Sequence, residues 1–116
     1  MNLFMVEVRV RDGPAAWGWF RDVLGLSVRF VDARNKFALL EAGGVGLAVK
    51  EGGDGPPREG FSLVFRVDDL DAERRRLASL DVAVGERIEN PSEGYHEFGV
   101  EGPEGLPVRL FSWIRT

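Results

Sequence analysis

The sequence predicts an α+β fold built from two βαβββ modules, each a mixed, curved sheet with one helix on its outer face. Two observations predict it. A strand, a tight turn and an amphipathic helix follow one another over residues 6–26, and the same order returns over residues 61–84, with Asp69 standing about 57 positions after Asp12. Each unit then continues into short alternating stretches separated by turn residues, so one sheet face is covered by a helix and the other is left free.

In the first strand Val6, Val8 and Val10 alternate with Glu7, Arg9 and Arg11, and Phe4 extends the apolar row. A period of two sends one set into a core and leaves the other polar. Pro14 suits the first helical position, where its missing N–H costs nothing, and Asp12 or Gly13 supplies the cap. Ala16, Phe20, Val23 and Leu24 then share one helix face. Gly25 is placed to end the helix in a left-handed conformation. Residues 26–31 read as a second strand, 32–35 as a turn, Phe37 to Glu41 as a third strand, and Val45 to Lys50 as a fourth with Val45, Leu47 and Val49 on one face.

Residues 51–59 carry glycines and prolines without periodicity and read as the linker between modules 1–50 and 60–116 of a single domain. In the second module Phe61, Leu63, Phe65 and Val67 alternate with Ser62, Val64 and Arg66. The next helix has Asp69, Asp71 and Glu73 early and Arg74, Arg75 and Arg76 later, the order that complements the helix dipole. Asp81, a residue type that tolerates the left-handed region, stands about where Gly25 stood. Val82 to Ile88 reads as a strand, 90–94 as a turn, Phe98 and Val100 mark a further strand, and residues 106–114 form the last one after a glycine-flanked turn at 102–105. The helices are expected to cover Val6, Val8, Val10, Phe61, Leu63, Phe65, Val108 and Leu110.

Length and composition agree with one compact domain. A chain of 116 residues has the commonest domain size and buries roughly two-thirds of its unfolded surface. Hydrophobic content of 44% beside 29% charged residues is too apolar for disorder. A net charge of −4 disfavours generic nucleic-acid binding, and the three consecutive arginines read as a solvated helix face. No apolar run approaches the roughly 20 residues that span a bilayer, and Met1-Asn2-Leu3 leads straight into the first strand, so a cytoplasmic protein without a signal peptide is expected. The absence of cysteine rules out thiolate chemistry and a disulfide framework.

The motifs V-x-D and A-x-x-W-F-x-x-V-L-G-L in the first half, F-x-V-D-D-L-D-A in the second, and G-P-E-G-x-x-V-x-L near the end stand in order along nearly the whole chain. Together they resemble the vicinal oxygen chelate superfamily, which includes glyoxalase I, extradiol dioxygenases and bleomycin resistance proteins. The G-P-E-G turn departs from the family's D-P-D-G, with Gly102 and Glu104 replacing the usual aspartates. The resemblance implies the paired glyoxalase and bleomycin-resistance type of fold, with modules related by a pseudo-twofold, and it implies that Trp19 is a core residue. It also implies a divalent metal held by His, Gln or Glu on four strands. The four corresponding positions here are Met5, Ala48, Ser62 and Arg109. None suits an oxygen-and-nitrogen metal site, and arginine brings a positive charge to where the cation would sit. No metal and no other cofactor is therefore expected.

The parity that assigns the core also assigns the free face. In the first module it holds Met5, Glu7, Arg9, Ala48 and Lys50; in the second it holds Ser62, Val64, Arg66, Arg109, Phe111 and Trp113. Apolar walls with a few convergent charges are the usual content of a small-molecule site. Arg9, Arg66 and Arg109 are candidates to bind an anionic group through paired N–H donors. The opposing reading is that Glu7 and Glu97 neutralise them, or that they line a dimer interface.

His96, the only histidine, invites a role as general base, but it shares parity with Phe98 and Val100 and so belongs to the helix side or a rim. Ser62 has no activating base in view, and Glu7 has no partner histidine. Trp17 is expected at an interface, and with Trp113 it motivates a homodimer. The expected function is metal-free binding of a small, planar, anionic molecule, as in the antibiotic-resistance branch that sequesters ligands unchanged. The alternatives are a metal-dependent lyase, isomerase or dioxygenase of the superfamily, and a regulatory or partner-binding module on the same fold.

Overall fold

In the computed structural model, which describes residues 1–114, the alternating stretches become eight strands and the two amphipathic stretches become ten-residue helices. Arg115 and Thr116, the end of the expected second module, lie outside the described residues. The chain divides into two units, Met1–Pro56 and a second that begins at Pro57.

The first unit runs β1 (Met5–Val10), α1 (Gly13–Asp22), β2 (Ser27–Asp32), β3 (Phe37–Glu41) and β4 (Gly46–Glu51). The sheet order is β1-β4-β3-β2, with β1 parallel to β4 and the other pairs antiparallel. Val8, Val10, Ala38, Leu40, Leu47 and Val49 are buried beneath α1, while Glu7 and Arg9 face the other way, so the period of two decides the sides as expected. Asp12 is the N-cap: its carboxylate accepts from the Ala15 N–H at 3.1 Å. The helix starts at Gly13, one residue before Pro14. Gly25 has φ of +75°, the left-handed turn that glycine adopts without strain. A bulge between Val28 and Phe30 shifts the β2 register, so Phe30 rather than Arg29 stands opposite Leu39, and the second strand begins one residue later than expected.

The two tryptophans of α1 exchange their expected places. Trp17 is 8% exposed, and Trp19 is half-buried with its ring edge-on to Phe20. The cause is Gly13. A Cβ there would lie 2.8 Å from Trp17 Cζ3, so the glycine one turn earlier leaves the notch that the indole fills.

The second unit runs β5 (Leu63–Arg66), α2 (Leu70–Ser79), β6 (Ile88–Asn90), β7 (Tyr95–Glu101), a short 3-10 turn (Pro103–Gly105) and β8 (Pro107–Trp113). Its sheet order, β5-β8-β7-β6, repeats that of the first unit, again with the outer pair β5–β8 parallel. Asp69 caps α2 as Asp12 caps α1, accepting from Ala72 N–H at 3.0 Å. Asp81 takes the left-handed conformation at φ of +59°. Leu70, Leu77, Phe98, Val100, Val108 and Leu110 form the buried layer between helix and sheet.

Two expectations fail here. Phe61 is not under the helix: β5 starts at Leu63, and Phe61 is 37% exposed ahead of it, which also leaves Ser62 outside the strand. Val82 to Ile88 is not a strand. Val84 makes a single bridge to Val100 and Gly85 N–H donates to Gly99 C=O at 2.8 Å, but ladder pairing begins only at Ile88.

The linker also falls later than expected. β4 includes Glu51, Gly52 N–H donates to Val10 C=O at 2.8 Å, and Arg11 Nε donates to Asp54 C=O at 3.1 Å, which ties residues 51–54 to the first unit. No helix is long and apolar enough to cross a membrane among the described residues.

Candidate functional site

Each sheet has a rung at the equivalent place in its ladder. In the first unit Glu7, Ala48 and Leu39 stand abreast on β1, β4 and β3; in the second Val64, Arg109 and Gly99 stand abreast on β5, β8 and β7. The first rung is filled, with Ala48 fully buried. At the second, a Cβ on Gly99 would find only one backbone oxygen within 4 Å, at 3.8 Å, so the floor beside Arg109 is open.

A cavity of about 170 Å³ lies on the same face, lined by Val64, Tyr95, Glu97, Arg109, Phe111 and Trp113. Four of these were expected on the free face, and the structure adds Tyr95 and Glu97. Glu97 stands opposite Phe111, and Tyr95 opposite Trp113, so β7 and β8 each contribute alternate residues to one wall. The three rings are mutually edge-on: Phe111 to Trp113 at 5.1 Å, Tyr95 to Phe111 at 6.0 Å and Tyr95 to Trp113 at 6.4 Å between centroids. Trp113 remains 54% exposed at the mouth.

The charges are specific. Arg109 Nη1 donates to both oxygens of Glu97, at 2.9 and 3.1 Å, and leaves Nε and Nη2 without a side-chain partner among the described residues. Burial, above all, raises the Tyr95 pKa, and the hydrogen bond and charge of Glu93 act in the same direction; the phenol therefore stays neutral. Arg66, exposed, stands beside Phe111 in the register and has no carboxylate partner among the described residues.

The other expected residues do not join this cavity. In the first unit Arg9 Nε contacts Glu7 at 3.4 Å, both half in water, and Lys50 stands between Arg9 and Phe37 in the ladder. Met5 is 39% exposed. A cavity of about 150 Å³ in that unit is lined instead by Leu3, Phe4, Arg29, Leu39 and Glu41 with neighbouring residues.

His96 points to the helix side of β7, where its Nε2 lies 2.7 Å from the Oγ of Ser112. Its Nδ1 lies 2.7 Å from Arg87 Nη2. Arginine only donates, so Nδ1 accepts, Nε2 carries the proton, and Ser112 Oγ is the acceptor. A ring so arranged does not draw the proton from the serine, and it lies on the far side of the sheet from the aromatic cavity.

The metal positions can be tested against this geometry. Met5 and Ala48 offer no oxygen or nitrogen ligand, Ser62 lies off its strand, and Arg109 is committed to Glu97. Among the described residues no group of three or more His, Cys, Asp or Glu side chains stands where it would hold a metal ion. The residues present do not fit the family's cation.

Duplicated βαβββ units with a cavity on the helix-free face define the chain as a two-module α+β protein of the glyoxalase type. The chain belongs to the Glyoxalase/Bleomycin resistance protein/Dioxygenase superfamily, whose model matches residues 2–110. Solved structures with the same fold include an integron cassette protein from the mobile metagenome of the Halifax Harbour sewage outfall (TM-score 0.84, 16% identity, 96% of this chain and 97% of that one). An antibiotic binding protein, TnmS3, from Streptomyces sp. CB03234 is similar over 97% of this chain and 96% of its own, with TM-score 0.83 and 19% identity. Lactoylglutathione lyase from Agrobacterium tumefaciens is similar over 96% of this chain and 92% of its own, with TM-score 0.78 and 18% identity. No curated protein matches the chain.

Proposed function

We propose that this chain is a metal-free binding member of its superfamily that holds a small, flat, anionic molecule without changing it. The observation that carries the reading is the second-unit cavity, where three edge-on rings surround a half-exposed Arg109 with two nitrogen donors still available. A cavity of about 150 Å³ accommodates benzene, so about 170 Å³ takes one ring of a two-ring molecule and leaves the other at the mouth beside the half-exposed Trp113. Rings supply area and stacking, and a guanidinium fork fixes a carboxylate or phosphate. Arg66 adds a second cation on the same sheet face. Glu97 is already neutralised by Arg109, and Arg66 offsets the Glu93 carboxylate beside Tyr95, so it is the unused guanidinium donors, and not a net charge, that favour an anion. The donor set at the metal positions speaks against the lyase and dioxygenase chemistry of other branches, and the likeness to an antibiotic binding protein supports sequestration. The same reading has the two units forming one cytoplasmic domain that pairs as a homodimer.

The test is an NMR titration with 2-naphthoate and its uncharged counterpart 2-naphthol. Saturable shifts at Tyr95, Phe111 and Trp113, tighter for the carboxylate, are expected. Arg109→Lys keeps the charge and loses the fork, and should weaken 2-naphthoate by about 1.5 to 3 kcal/mol while leaving 2-naphthol unchanged. Equal affinity for both probes, or shifts confined to other residues, refutes the proposal.

A further inference from the structure

Behind the aromatic cavity, on the opposite face of the second sheet, lies a polar chain that the binding reading does not use. Arg87 Nη1 donates to both oxygens of Asp71 in the first turn of α2, at 2.9 and 2.8 Å, and its Nε donates to Glu89 of β6 at 2.6 Å. Its Nη2 donates to His96 Nδ1 on β7, and His96 Nε2–H donates to Ser112 Oγ on β8. The chain thus joins the helix and three strands in a row. Ser112 is 5% exposed and the His96 side chain 17%, so neither partner is readily replaced by solvent.

The position of this chain matters more than its strength. His96 lies between Tyr95 and Glu97, Ser112 lies between Phe111 and Trp113, and the two are directly opposite in the ladder. The bond therefore ties the rung between Tyr95–Trp113 and Glu97–Phe111, the two rungs that carry four of the six lining residues, Arg109's partner Glu97 among them. A shift of β7 against β8 changes the ring spacing on the far face, because side chains alternate rigidly across a pleated sheet.

We propose that Arg87 and His96 are positioning residues for the cavity, with His96 held as the neutral Nε2–H tautomer, and that protonating its Nδ1 breaks the bond from Arg87, displaces the ring together with its Ser112 partner and weakens binding. The inference of weakened binding rests on the function proposed above; the tautomer and the rung do not. A proton on Nδ1 faces the Arg87 donor at 2.7 Å, so a hydrogen bond gives way to two like charges. The carboxylate nearest to both is Glu89, whose Oε1 accepts from Arg87 Nε while its Oε2 lies 3.7 Å from Nδ1, beyond hydrogen-bond distance. The remaining charged groups near the ring are Asp68, Asp69 and Asp71, across a cavity of about 290 Å³ lined also by Leu70, Ser112 and Trp113. Asp69 caps α2 and Asp71 holds Arg87, so both are already engaged.

The experiment is histidine ¹⁵N NMR on the full chain between about pH 5 and 8, the range in which histidine changes charge, with amide shifts followed in parallel. At the upper end the Nε2–H tautomer is expected, and the amides of Tyr95, Glu97, Phe111 and Trp113 should move with the His96 titration. His96→Gln should abolish that movement. The affinity for 2-naphthoate should fall about five-fold or more from the upper to the lower end in the native chain, the low end of coupling between sites, and much less in His96→Gln. Arg87→Gln should favour the other tautomer. An Nδ1–H ring in the native chain overturns the proposal, as do cavity amides that ignore the His96 titration or equal pH dependence in native and His96→Gln chains. Failure of 2-naphthoate to bind at either pH sinks the proposed function and the coupling with it, and leaves the tautomer and amide readouts to judge the positioning role.

Discussion

Replacing Arg109 by methionine removes the guanidinium while keeping most of the stem, and the geometry around Glu97 sets what this costs. The Glu97 side chain is 12% exposed, whereas that of Arg109 is 42% exposed. Taking away the arginine strands a mostly buried carboxylate, at about 1 to 3 kcal/mol. Taking away the carboxylate by Glu97→Gln strands an arginine that is nearly half in water and still has an amide oxygen to bond, at about 0.2 to 1 kcal/mol. For a chain of this size about 1 kcal/mol moves the melting temperature by roughly 4 °C. Arg109→Met should therefore melt about 4 to 12 °C lower and Glu97→Gln no more than about 4 °C lower. The double variant should recover most of the loss, because it leaves no buried charge. Thermal and urea unfolding of the three variants measures this. A Glu97 change as costly as the Arg109 change, or a double variant worse than both, refutes the account of the pair.

Phe20→Ala, at a fully buried position in α1, should cost about 3 to 5 kcal/mol in urea unfolding. Gly13→Ala should cost about 1 to 3 kcal/mol by overpacking against Trp17, with a change in near-UV circular dichroism from the displaced indole. The hydrogen bond from Lys36 comes first among the causes that lower the Glu51 pKa, followed by that from the Gly13 N–H. A carboxylate with a depressed folded pKa contributes stability that is complete above its unfolded pKa and is lost as pH falls through the folded one. Glu51→Gln should therefore flatten part of the acid limb of a stability–pH curve and leave the alkaline side alone. Elemental analysis of extensively washed, tag-free protein should find no stoichiometric divalent metal, and activity lost on chelation would contradict this.

Most of the fold was legible because strands and helix caps leave local marks. Val6, Val8 and Val10 and the aspartates at 12 and 69 carry their meaning within a few residues. Val82 to Ile88 misled because Val82 and Val84 alternate as a strand does, but Gly85, Glu86 and Arg87 do not extend the ladder; whether a stretch pairs depends on its neighbour, not on itself. Trp17 and Trp19 were exchanged because the buried face marked by Ala16 and Phe20 also takes in Gly13 and Trp17, and the notch at Gly13 is visible only in three dimensions. Tyr95 was missed although the signal existed: it shares parity with Glu97, opposite to Phe98 and Val100, and so faces the free side. Which arginine keeps open donors was not legible, because the diagonal reach of Arg109 to Glu97 follows from side-chain conformation across two strands.

In each unit the first strand pairs in parallel with the last, Met5 with Gly46 and Val64 with Arg109. The contacts that complete a sheet thus join residues some 40 positions apart, and closing such a loop costs entropy before the ladder returns any of it. Neither sheet can finish early. During synthesis the first unit must wait for β4 to emerge, but it then needs no strand from the second. The chain should therefore show two separate steps of protection from hydrogen exchange, one as each closing strand arrives, with the edges β1 and β5 exposed to mispairing in the interval.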